Sequence, residues 1–255
     1  MDRGLTDPVI FRDVSYRAGG RLILDHLNLE VPAGETLVLL GRSGSGKTTA
    51  LKMVNGLLFP SEGEVLVQGE STRNWDLIRL RRKIGYVIQD AGLFPHFTIE
   101  RNVGLVPRLE HWPPERIASR VRELLDQIGL PPSDYLQRYP RQLSGGQRQR
   151  VGVARALAAD PAILLFDEPF GAVDPVTRLE LQNQFLDLRR RLGKTSIFVT
   201  HDVREALRIG SRIGLLNGGR LEVLATPRDF LKAETEEARA FLAGASDYTR
   251  EEPVV

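Results

Sequence analysis

Gly41-Arg42-Ser43-Gly44-Ser45-Gly46-Lys47-Thr48 fits the pattern GxxxxGK[ST] at every position, and it sits between the apolar run Thr36–Leu40 and the helix-forming stretch Lys47-Thr48-Thr49-Ala50-Leu51-Lys52. A continuous apolar run of this kind reads as a strand covered on both faces, so the order is strand, glycine-rich loop, helix. That order suits one chemistry. The glycines let backbone N–H groups turn inward around a phosphate chain, and the helix N-terminus adds a favourable dipole. Lys47 reaches the terminal phosphates and Thr48 can ligate Mg2+, with Thr49 beside it in the first helical turn. Average residue usage makes a chance match in a chain this long about one in a hundred, and the flanking strand and helix lower it further.

Outward from this loop, Ile163-Leu164-Leu165-Phe166-Asp167-Glu168 ends a second buried strand on two adjacent carboxylates. Acidic pairs at strand ends also serve as helix caps, so the pair gains its chemical meaning from the phosphate loop. Asp167 suits the metal through a water, and Glu168 suits a general base or water-positioning group. Apolar runs at 84–88 and 196–200 read as further strands, and 177–192 has helical periodicity; strands alternating with helices imply a parallel sheet. Patterns at 9–14 and 21–31 around Gly19-Gly20 read as a small antiparallel lobe. Ile117, Val121, Leu124, Leu125 and Ile128 recur at helical spacing behind Pro113-Pro114, which places a mostly helical insertion at about 90–158. Asn217-Gly218-Gly219 reads as a hairpin turn, Thr226-Pro227 as the cap of a last helix, and the polar tail 244–255 as loose. Residues 1–243 are therefore expected to form one domain.

Composition narrows the classes. The 255 residues are 42% hydrophobic and 27% charged, which fits a globular chain with a substantial core. The absence of cysteine removes disulfide frameworks, thiolate metal sites and cysteine nucleophiles. His26, His96, His111 and His201 show no zinc-binding spacing. Although the pI near 9.0 hints at nucleic acid, the net charge is +2 and the basic residues, 30 of 35 being arginine, are spread along the chain; no nucleic-acid partner is expected. The longest apolar runs, 37–40 and 162–166, fall far short of the ~20 residues of a membrane span. The N-terminus lacks the apolar core of a signal peptide, so a cytoplasmic location is expected.

Leu143-Ser144-Gly145-Gly146-Gln147 precedes a stretch in which Val151, Ala154, Leu157 and Ala158 keep helical spacing, with Ser144 placed as an N-cap. This is a second glycine-lined helix start able to receive a phosphate, but without a lysine; alone it reads as a capped helix. Together with the loop at 41–48 and the Asp167-Glu168 pair, in this order, it resembles the signature of ABC-type ATPases. The resemblance runs from about residue 9 to 242. It implies an α/β fold of the P-loop NTPase, ABC-ATPase type, with a mixed sheet core, an antiparallel β lobe and a helical insertion. It also implies ATP and Mg2+ as cofactors. In that family two subunits, here a second copy or a homologous ATPase, pair head to tail, and Ser144, Gly145, Gly146 and Gln147 of one close on the γ-phosphate held by the other.

The same resemblance assigns further positions. Gln89 falls at the glutamine that senses Mg2+ and the γ-phosphate, with Thr48 and Asp167 completing the metal set. Asp174 falls at the aspartate of the loop crossing the dimer, and His201 at the histidine that contacts the γ-phosphate and orients the water. From the residues alone, Gln89 is a strand-end polar side chain, Asp174 a helix cap before Pro175 and His201 a cap before Asp202. The family stacks adenine on an aromatic just before the first turn; this chain has Ala18 there, and Tyr16 two positions earlier is the aromatic available. Gly92-Leu93-Phe94-Pro95-His96-Phe97-Thr98, Arg138-Tyr139-Pro140 and Asp167-Glu168-Pro169-Phe170-Gly171-Ala172-Val173-Asp174-Pro175 look like ATPase subunits of osmoprotectant importers for glycine betaine, choline or carnitine. The implied enzyme is an ATP hydrolase of an ABC-type quaternary amine transporter. It would lie peripherally on the inner face of the membrane, contacting permease subunits through Phe94 to Phe97 and, through them, a substrate-binding protein. Importers of methionine, amino acids or phospholipids, a non-transport ABC ATPase and a stand-alone P-loop kinase are the alternatives.

Overall fold

The computed structural model describes residues 8–171 and 173–244; Ala172 and the tail beyond Gly244 lie outside them. Chain order is β1 (Val9–Ala18), β2 (Arg21–Val31), β3 (Thr36–Leu40), α1 (Lys47–Val54), β4 (Glu62–Val67), β5 (Glu70–Ser71), α2 (Leu77–Lys83), β6 (Ile84–Val87), α3 (Ile99–Val103), α4 (Leu105–Leu109), α5 (Pro114–Gln127), α6 (Pro132–Tyr135), a 3-10 turn at Pro140–Gln142, α7 (Gly145–Leu157), β7 (Ile163–Asp167), α8 (Pro175–Leu192), β8 (Thr195–Thr200), α9 (Val203–Ile209), β9 (Arg212–Asn217), β10 (Arg220–Ala225), α10 (Pro227–Phe230) and α11 (Glu236–Ala243). The chain divides into two compact units, one of Met1–Trp75 with Thr195–Val255 and one of Asp76–Lys194.

The first unit holds the antiparallel lobe, in the order β2-β1-β4-β5, and the mixed strand set β10-β9-β3-β8. β9, β3 and β8 are parallel, and β10 turns back on β9 through Asn217, Gly218 and Gly219. All five residues of β3 and all six of β8 are buried, as continuous apolar runs require when helices cover the strands. α1 packs on β4 and β8, and α9 on β3. Ala50, Leu51, Met53 and Val54 of α1 are fully buried, and each large side chain contributes about 1.5–3 kcal/mol of transfer free energy. The phosphate-loop helix is thus anchored by its apolar face while its N-terminus stays at the strand ends.

The second unit pairs β6 with β7 in parallel and packs α7 against β6, α3 and α5. The helical periodicity at 113–130 is realised as α5, which buries Ile117, Val121, Leu124 and Leu125. The helices expected at 90–158 all lie in this unit, together with α2, β6, β7 and α8.

Differences from the sequence expectations have local causes. The strand expected to reach Ile88 ends at Val87, because the chain enters a run of left-handed residues at Asp90, Ala91 and Gly92. The last helix is two helices: the one capped by Thr226 stops at Phe230, and a fresh cap at Thr235 starts α11. β4, β5 and α2 were not anticipated. β4 begins Glu-Gly-Glu and has only three buried residues, while α2 is seven residues long with one buried position, Leu80.

Candidate functional site

In the first unit the register Leu40↔Thr200 places Gly41 and His201 just past the carboxyl ends of neighbouring parallel strands, where ligands bind in open α/β sheets. α1 starts at Gly46, with φ at +101° and no side-chain cap. A Cβ there would lie 2.6 Å from Leu24 Cδ2 and 2.9 Å from the Ile23 carbonyl, so only glycine fits. Lys47 is 4% exposed, and its Nζ donates to the carbonyls of Gly41 and Arg42, each at 2.8 Å. A buried ammonium requires such acceptors. The buried Ser45 Oγ has no protein partner, and Thr48 and Thr49 are half-buried one step further in. A backbone curled around a lysine, with a buried hydroxyl left over, fits a nucleotide phosphate chain. Arg42, Ser43 and Gly44 form the exposed outer side of the loop. Tyr16, half-buried on β1, is paired in register with Leu24, the residue packed on Gly46.

His201 is exposed. The cap of α9 is Asp202, which accepts from the Arg204 N–H, so the capping role considered for His201 belongs to its neighbour. Behind it, buried Thr200 donates from Oγ1 to Glu205 Oε2 at 2.6 Å and accepts from the Asp202 N–H at 3.0 Å.

In the second unit the register Val87↔Phe166 puts Gln89 and the Asp167-Glu168 pair at the same carboxyl end of β6 and β7, Asp167 being the last residue of β7. Asp167 is 9% exposed and accepts from the Tyr86 hydroxyl at 3.2 Å. Burial first and the Asp167 charge second push the Tyr86 pKa up, so the phenol stays a neutral donor. Glu168 has φ at +44°, a left-handed geometry that costs a side-chain-bearing residue roughly 1–3 kcal/mol. The Gly171 N–H donating to the Glu168 carbonyl closes the turn that holds it there.

Gln89 lies exposed in a turn, followed by Asp90, Ala91 and Gly92 at φ +61°, +59° and +52°. Sequence reasoning missed what holds this run. Arg155, on α7, donates to the carbonyls of Gly92 at 2.8 Å and Ala91 at 2.7 Å. The residue lies three turns along the helix that starts at Ser144, and no local pattern marks it.

At the start of α7 the Ser144 hydroxyl accepts from the Gln147 N–H while Gln147 Oε1 accepts from the Ser144 N–H, a complete capping box. A Cβ on Gly146 would lie 2.5 Å from Thr177 Cγ2, so the glycine lets the start of α8 come close. Asp174 caps α8 by accepting from the Thr177 N–H at 3.0 Å, and that bond holds its carboxyl below the usual aspartate range. The structure therefore brings Gly146 and the Asp174 turn together. Phe94 is 40% exposed. Its ring lies 5.3 Å from that of Phe97, over which Arg101 stacks at 4.5 Å. Buried Asn102 fixes the turn by accepting from the Phe94 N–H and donating to the carbonyls of Phe94, Phe97 and Thr98.

Residues 24–171 match the ABC transporter family, and that span contains the phosphate loop, Gln89, the signature and the acidic pair. The chain belongs to the ABC transporter family. It is 49% identical over 244 residues to the osmoprotectant import ATP-binding protein OsmV of Salmonella typhimurium, covering 91% of this chain and 64% of that one. It is also 49% identical over 219 residues to the glycine betaine/carnitine/choline transport ATP-binding protein OpuCA of Bacillus subtilis, covering 86% of this chain and 57% of that one. The chain thus spans less than two thirds of the length of both curated relatives. Among solved structures, the dimeric ATP-binding cassette MJ0796 bound to ADP and Pi superposes with a TM-score of 0.77 at 36% identity, covering 86% of this chain and 99% of that one. No helix among the described residues is long and apolar enough to cross a membrane.

Proposed function

We propose that this chain is the ATP-hydrolysing subunit of an importer for a quaternary-ammonium osmoprotectant of the glycine betaine or choline type. The observation that carries the cargo is the 49% identity to two ATP-binding proteins, one named for osmoprotectant import and the other for glycine betaine, carnitine and choline transport. ATP with Mg2+, when bound, supplies the phosphoryl group to be transferred to water and neutralises its charge.

The chain's own residues do the rest. The loop 41–48 cradles the phosphates with backbone N–H groups, Lys47 turns its ammonium to the terminal phosphates, and Thr49 adds a donor at the helix start. Thr48, Gln89 and, through a water, Asp167 hold the metal. Glu168 accepts the proton of the attacking water, and His201 orients that water. Tyr16 takes the adenine. Ser144, Gly145, Gly146 and Gln147 serve the nucleotide of a second copy or a homologous ATPase paired head to tail, with Asp174 at the crossing. Residues 1–243 act as one ATP-binding domain, peripheral on the inner face of the membrane. The Phe94 to Phe97 turn receives a cytoplasmic segment of the permease, and a binding protein delivers the solute to that permease.

Vesicles holding the cognate permease and binding protein test the reading. Labelled glycine betaine or choline is taken up with ATP, and Glu168→Gln lowers both uptake and phosphate release by at least ~10²-fold. Vesicles that ignore quaternary amines but import methionine or another solute overturn the cargo; ATP hydrolysis within a few fold of wild type in Glu168→Gln overturns the general base.

A further inference from the structure

The outer side of the phosphate loop is tied to the far end of the chain. Arg42 Nε donates to Glu237 Oε1 at 2.7 Å, across 195 residues of sequence. Glu237 lies in the first turn of α11, whose start is capped by Thr235 and anchored by the fully buried Ala238. The Glu237 side chain is 12% exposed although it carries a charge, and a carboxylate taken that far out of water needs a partner. The Arg42 guanidinium supplies one, and the hydrogen bond and charge of Glu237 raise the arginine's pKa in return.

The residue held this way also shapes the phosphate site from within. The Arg42 carbonyl accepts Lys47 Nζ at 2.8 Å and the Ser45 N–H at 3.2 Å. Its backbone is thus pulled inward by the lysine and outward, through the side chain, by Glu237. Ser43 and Gly44, the next two residues, are exposed, and Gly44 is at φ +80°, a residue with wide conformational freedom. The ion pair therefore adds a side-chain restraint at the exposed outer side of the loop.

We infer that Glu237 is a positioning residue for the nucleotide: acting through Arg42, it fixes the carbonyl against which the phosphate-loop lysine is set. This deepens the ATPase reading and rests on it. Loss of the clasp raises the cost of ordering the loop on binding, so it appears in nucleotide affinity and leaves the chemical step alone.

The test uses the full chain, with ATP and Mg2+ titrated calorimetrically and phosphate release measured at steady state. Glu237→Gln weakens ATP binding and raises KM by about three- to fivefold, the range of a well-formed surface ion pair, with kcat within about twofold. Arg42→Gln weakens ATP binding to the same extent, and the double variant binds ATP no more weakly than either single one, because the two side chains act as a unit. Raising the salt from about 0.05 to about 0.5 M screens the pair, so the ratio of variant to wild-type Kd falls towards one. A Glu237→Gln chain that binds ATP as wild type does, effects that multiply in the double variant, or a ratio indifferent to salt each overturn the clasp. A wild-type chain that fails to bind ATP overturns the nucleotide reading itself and the clasp with it.

Discussion

α1 begins at Gly46, whose left-handed backbone leaves its first turn without a side-chain cap, whereas α7 begins at Ser144, whose hydroxyl and backbone N–H are both engaged with Gln147. Both are glycine-lined helix starts, and helix starts attract anions. The difference lies in what each already contains. The first curls around its own buried lysine and leaves the Ser45 hydroxyl without a protein partner; the second has met part of its hydrogen bonding internally and carries no lysine. In the proposed reading the charged cradle holds phosphates and the neutral, capped start closes on them from another copy.

Two substitutions sharpen that contrast. Gly46→Ala has the larger expected effect, because the new methyl meets Leu24 Cδ2 and the Ile23 carbonyl and the backbone must stay left-handed. A destabilisation of about 1–3 kcal/mol lowers the unfolding midpoint by about 2–4 °C for each kcal/mol in a chain of this size. ATP affinity falls at least ~10-fold with it. Ser144→Ala removes the cap of α7 and costs about 1 kcal/mol, read from the same thermal melts. A larger loss at Ser144 than at Gly46 would break the contrast, since it would make the signature start the more constrained of the two.

How much of this was legible in the sequence depended on whether the signal is local. The phosphate loop, the Asp167-Glu168 pair and the Ser144 N-cap are short runs of unusual residues at fixed spacing, and the loop, Asp167 and Ser144 each appear in the structure at the end of the element their spacing implied. The hairpin at Asn217, Gly218 and Gly219 was readable for the same reason. β4 and α2 were not, since a strand opening Glu-Gly-Glu and a seven-residue helix rich in arginine carry little periodicity. The restraints on the site were the least legible. Arg155 reaches Ala91 and Gly92 across more than 60 residues, and Glu237 reaches Arg42 across 195. Pairings of that length depend on the folded chain, and nothing in the neighbouring residues announces them. The left-handed backbone of Glu168 is equally silent in sequence, where glutamate gives no reason to expect it.

The central claim is that the two helix starts complete each other only between subunits, and the mass of the Glu168→Gln chain in solution tests it most directly. Light scattering with ADP should give the 28.5 kDa monomer, and with ATP and Mg2+ twice that mass. Adding Gly145→Asp sets a carboxylate against the γ-phosphate and should return the chain to the monomer. A Glu168→Gln chain that stays monomeric while saturated with ATP, or an ATP dimer that survives Gly145→Asp, would contradict the shared site.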